Sequence, residues 1–103
     1  MRKEYLGRIP KEWTDVSSVF VALGDEHRQR IMLSFEVGER LNVSEIVAVS
    51  TLSRTAVSHH LRVLREAGVL ESEKVGKEVF FWVNKKHMTT VLQRVLNYVE
   101  KNT

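Results

Sequence analysis

The sequence predicts a mainly helical domain that carries one β-hairpin. Three features predict it. Apolar residues recur at helical spacing in several segments. Between Val69 and Val83 the apolar period drops to two. Aspartate, serine, asparagine and glycine punctuate the joins. Two of the helices, a short one and a longer one, are separated only by the residues Ser50 to Ser53, "STLS". That is a helix-turn-helix arrangement. A hairpin following it directly makes a winged helix-turn-helix, with the order α-α-α-α-β-β-α.

The elements follow in turn. Residues 1–10, "MRKEYLGRIP", form a basic leader that ends at the only proline. It is expected to be poorly ordered or draped over the surface. Residues 11–103 form the domain. From Lys11, Trp13, Val16, Phe20 and Leu23 recur at spacings of three and four, one apolar stripe that stops at Gly24. Asp25 is placed to cap a second helix, with Ile31, Met32 and Phe35 facing inward and Gly38 as its left-handed stop. Ser44 is the expected cap of a short helix bearing Ile46 and Val47. Ser53 caps the longer helix, which runs to Ala67 and stops at Gly68. "VLESEKV" and "KEVFFWV" are the strands, rich in β-branched and aromatic residues, with Gly76, Lys74 and Lys77 at a basic tip. Asn84 caps a last helix. Its Met88, Val91, Leu92, Val95, Leu96 and Val99 lie within an arc of roughly 140° at 100° per residue.

With 103 residues, a single domain is expected, with a modest core. The first and last stripes carry more apolar surface than so small a domain can hide. A second copy of the chain would cover them. There is no cysteine, which removes disulfides, thiolate metal sites and thiol redox chemistry together. Sixteen basic against thirteen acidic residues give a formal charge of +3. An anionic partner is tolerated at that charge. No apolar run approaches the ~18 residues of a membrane span, and the charged N-terminus lacks a signal-peptide core. The cytoplasm is the expected compartment, with no membrane partner.

The segment "SRTAVSHHLRVLREAG" carries the functional argument. On a helical wheel Val57, Leu61 and Leu64 cluster on one side, with Ala67 near them. Thr55, Ser58, His59 and Arg62 project from the other, and Arg54 flanks them at the N-terminal end. Hydroxyl, imidazole and guanidinium groups reach base edges and phosphates, and a recognition helix enters the major groove by its N-terminal part. Ser53, Lys74 and Lys77 join these as DNA-contact candidates, and Arg65 is a possible phosphate contact. His59 and His60 differ by about 100° around the axis and cannot chelate one ion together. His60 falls at the edge of the buried side, as a boundary histidine. No nucleophile–base pair, glycine-rich phosphate loop or carboxylate pair is present, so an enzyme is not expected. The alternative is a winged-helix dimer that binds proteins, with weak DNA affinity. Such a face would carry aromatic or leucine anchors.

"LGDEHRQRIMLSF" and "LSRTAVSHHLRVLREAGVLESEKVGKEVFFWV" resemble the corresponding stretches of the ArsR/SmtB-type bacterial repressors. The likeness extends over about Val19 to Val99. It implies a homodimeric repressor on a palindromic operator, with the first and last helices at the dimer interface. The interface candidates are then Trp13, Val16, Phe20, Met88, Val91, Leu92, Val95, Leu96 and Val99. It carries DNA-contact roles onto Arg54, Thr55, Ser58 and His59. Members of the family often release DNA when a metal binds. One such site needs cysteines around Leu41 to Glu45. A second, between the last helices, matches His87 here but places Lys85, Tyr98 and Lys101 at the other ligand positions. No metal or other cofactor is therefore expected. The inducer, a small molecule, a protein or none, stays open.

Overall fold

The computed structural model describes all residues, 1–103. Helices α1 (Thr14–Leu23), α2 (Glu26–Ser34), α3 (Val43–Val49), α4 (Arg54–Glu66) and α5 (Lys85–Asn102) are combined with a sheet of β1 (Leu41–Asn42), β2 (Leu70–Val75) and β3 (Glu78–Val83). The strand order is β1-β3-β2, all antiparallel. Apart from the short β1 between α2 and α3, the winged helix-turn-helix order read from the sequence is the observed one. Short 3-10 turns at Lys3–Leu6 and Lys11–Trp13 precede α1. Arg2 reaches α5, donating to the Tyr98 hydroxyl at 3.3 Å.

Thirteen buried residues, all apolar, form one core. Val16, Val19 and Ala22 come from α1, Ile31 from α2 and Ile46 from α3. Val57, Leu61 and Leu64 of α4 sit at the centre. Removing each such leucine from water contributes about 2 kcal/mol. Val69, Leu70, Phe81, Met88 and Val91 close the core from the wing and α5. Asp15 of α1 accepts from Arg94 of α5 at 2.6 Å, tying the two terminal helices together. Burial alone would raise the Asp15 carboxyl; the Arg94 hydrogen bond and charge, with the Val16 N–H, outweigh it and hold it below the usual range.

Several local expectations need correction. The first helix starts as a 3-10 turn and becomes α-helical only at Thr14. Its inward stripe is Val16, Val19 and Ala22, because a helix held between α4 and α5 buries a broader arc than one row; Phe20 is left facing out. Helix α2 stops at Ser34, and Gly38, at φ 71°, belongs to the following turn, not to the helix end. Asn42, not Ser44, caps α3. Its side chain accepts from the Glu45 N–H at 2.9 Å while Glu45 accepts from the Asn42 N–H at 3.0 Å. Strand β1 was not expected at all. Among the interface candidates, Val16, Met88 and Val91 are buried in the protomer's own core and leave little surface for a second copy.

Candidate nucleic-acid interface

Ser53 fixes the start of α4. Its hydroxyl accepts from the Ala56 N–H at 3.2 Å, which satisfies one of the orphan donors of the first turn. The apolar side of α4 is pinned in the core by Val57, Leu61 and Leu64. The opposite side is thereby forced outward. Arg54, Thr55, Ser58, His59 and Arg62 are all exposed and together line one shallow groove of about 580 Å³ that contains no apolar residue.

No carboxylate neutralises this ridge. The chain's three ion pairs are Arg30–Glu26, Arg40–Glu73 and Arg94–Asp15, none of which involves a ridge cation. Arg54 donates to the Ser44 hydroxyl on α3 at 3.1 Å, and Arg62 donates to Nδ1 of His59 at 3.4 Å. Each guanidinium has five N–H donors, so most remain free. Arg65 is exposed and outside any ion pair.

The wing is a tight hairpin. Val75 pairs with Glu78, so its loop is Gly76 and Lys77 alone. Gly76 takes φ 63°, the left-handed region that a two-residue hairpin loop opening on glycine requires. Lys74 and Lys77 are exposed and unpaired at the tip. The hairpin glutamates are each engaged: Glu71 accepts from Trp82 at 2.9 Å, Glu73 from Arg40 at 3.0 Å and Glu78 from Asn42 at 3.2 Å. Arg40 also lies over the Trp82 ring at 3.9 Å.

Beneath the ridge, His60 is half-buried, as a boundary histidine should be. Its Nδ1 accepts from Arg28 of α2 at 3.3 Å. His27 stacks on it with ring centroids 5.8 Å apart. Sequence reasoning missed Arg28 and Arg40, since both act across more than thirty residues of chain and no local pattern marks such pairs.

A helix-turn-helix with a wing, whose second helix turns a polar cationic side to solvent, defines a winged-helix DNA-binding regulator. Comparison with known proteins narrows the class. The model of "Bacterial regulatory protein, arsR family" matches residues 25–72. The chain is 30% identical over 86 residues to the cadmium resistance transcriptional regulatory protein CadC of Listeria innocua, covering 84% of this chain and 72% of that one. It is 29% identical over 84 residues to the transcriptional repressor SdpR of Bacillus subtilis, covering 82% and 88%. An ArsR-like transcriptional regulator from Rhodococcus sp. RHA1 superposes with a TM-score of 0.80 at 25% identity, over 89% of this chain and 86% of that one. The chain spans 66% to 72% of the length of the cadmium-resistance relatives it matches. This protein therefore belongs to the ArsR family and is a DNA-binding transcriptional regulator, not an enzyme.

Proposed function

We propose that the chain is a homodimeric repressor that holds two copies of α4 in successive major grooves of a palindromic operator, with the wing tips on flanking phosphates or in the minor groove. The observation that carries the reading is the ridge itself: five exposed hydrogen-bonding or cationic residues, Arg54, Thr55, Ser58, His59 and Arg62, on the element whose other side fills the core. Ser53 at its start, with Lys74 and Lys77 on the wing, extends the contact surface. Absence of aromatic or leucine anchors on the ridge disfavours a protein-binding role for it. For the dimer, Phe20 (48% exposed), Leu92 (45%), Leu96 (51%) and Val99 (53%) support an apolar face on α1 and α5. Trp13 and Val95 are partly covered and border it.

The family's metal chemistry does not fit these residues. No cysteine is available for a thiolate site. At the positions that the family pairs with His87 stand Lys85 and Lys101, whose exposed ammonium groups are not ligands, and Tyr98, whose hydroxyl accepts from Arg2. We therefore assign no metal or thiol sensing to the family positions, and leave the inducer as a small molecule, a protein partner or none.

Fluorescence anisotropy against the promoter duplex of the protein's own gene, over a salt series, tests the reading. Binding should be tight at low salt and fall steeply and log-linearly as salt rises, because phosphate contacts release counterions. Absence of binding, or affinity insensitive to salt, would refute it.

A further inference from the structure

We propose that neutral His60 is a positioning residue for the DNA-reading helix: it anchors α4 to α1 and α2 through Arg28, and its protonation loosens that anchor and weakens DNA binding. The inference rests on the DNA-reading role proposed for α4.

One guanidinium joins three helices here. Arg28 of α2 donates through Nε to the Ala22 carbonyl at 2.6 Å, through Nη2 to the Val21 carbonyl at 3.5 Å and through Nη1 to His60 Nδ1 at 3.3 Å. The two carbonyls belong to the last turn of α1; that of Val21 also accepts from the Gly24 N–H at 3.2 Å, while that of Ala22 lies among the helix-end acceptors that need a partner from outside. Arg28 thus satisfies the end of one helix while gripping another. Its own backbone N–H donates to Asp25 at 3.1 Å, which fixes where its side chain starts.

An arginine only donates, and it stays charged. Nδ1 of His60 must therefore present its lone pair, which makes the ring neutral with its proton on Nε2. A second proton would remove the acceptor and set two cations against each other at that distance. The remaining groups that face the ring are His27 of α2, stacked at 5.8 Å and 27°, His59 of α4 at 5.7 Å, and Asp25 at the start of α2. Burial pushes the imidazole below its ordinary range. Asp25 opposes this; Arg28, His59 and His27 add to it. Since the folded value lies below the unfolded one, the contact is fully present above the ordinary histidine pKa of about 6.5 and is lost as pH falls through the folded value.

Linkage gives the inference an unusual sign. If the duplex selects the form with His60 neutral, duplex binding must lower the His60 pKa further. Ordinary DNA electrostatics, with phosphates nearby favouring the imidazolium, would raise it instead.

Two measurements on the full chain test this. NMR titration of the His60 imidazole protons, with and without promoter duplex, should show its pKa moving down on binding. Anisotropy at about pH 7.5 and about pH 5.5 should then compare each protein with itself, wild type and His60→Asn. The asparagine oxygen stands where Nδ1 stands, accepts from Arg28 and does not titrate. Wild type should lose more affinity between the two pH values than the variant does, by a factor that stays below about tenfold because the free imidazole titrates below its ordinary range. A His60 pKa that rises with DNA, or equal losses in the two proteins, would overturn the inference while leaving DNA reading intact. A wild-type protein that fails to bind even at the higher pH would instead overturn the DNA-reading role, and this inference with it.

Discussion

Arg54 stands where two helices meet. It opens α4, and its guanidinium rests on the Ser44 hydroxyl at the start of α3. A long side chain already held at its tip has less freedom to lose when it meets a base, so it is suited to reading one. Arg54→Ala should lower affinity for the preferred site by about 1–3 kcal/mol and flatten the preference at one base position; binding to a set of single-substituted duplexes measures both. Lys77 is different. It sits at the wing tip without a partner and carries only a point charge. Lys77→Ala should weaken all duplexes alike and reduce the salt slope by about one, read from the same titrations at several salt concentrations. The outward set on α4 was legible because helical periodicity alone fixes which side chains oppose Val57, Leu61 and Leu64. The partners of α4 were not, because Ser44 beside Arg54, and Arg28 beside His60, are set there by folding rather than by spacing.

At the level of elements, the joint between α4 and the wing carries the tightest constraint. Gly68 adopts φ 81°, and a Cβ there would come within 2.6 Å of the His87 ring on α5. Gly68→Ala should therefore destabilise twice over, by the left-handed backbone, about 1–2 kcal/mol, and by displacement of the imidazole. Thermal unfolding should show a lower midpoint for Gly68→Ala. Adding His87→Ala to that variant should recover part of the loss, less whatever contact the ring itself contributed. The glycine stop was readable from its place after a helical run. The imidazole above it was not. The cap of α3 shows the same limit: Ser44 and Asn42 are both good caps by residue type, and the choice fell to Asn42 because Glu45 lies three residues after it and closes the reciprocal pair. Strand β1, two residues long, is too short to show any period.

For the molecule as a whole, the decisive question is which apolar surface the core leaves over. Val16, Met88 and Val91 share their apolar stripes with the other interface candidates, yet they pack inside. A wheel gives direction around one helix but not how deeply neighbours wrap it, and α1 and α5 wrap each other across the Asp15–Arg94 pair. Leu92 and Leu96 remain outside. Leu92→Glu combined with Leu96→Glu should give monomers by sedimentation and abolish tight operator binding, since one α4 makes only half of the contacts. A variant that still sediments as a dimer on DNA would place the interface elsewhere.

The short pairing of β1 with β3 ties these levels together. Leu41 lies opposite Phe81 and Asn42 opposite Phe80, and the same Asn42 starts α3. The hairpin is thus fastened to the scaffold of the reading helix by a shared residue rather than hung from it by a tether. On the proposed function, the span between the residues that would meet the groove floor and those that would meet the backbone is then built into the chain, as in a caliper set at one opening before it is used.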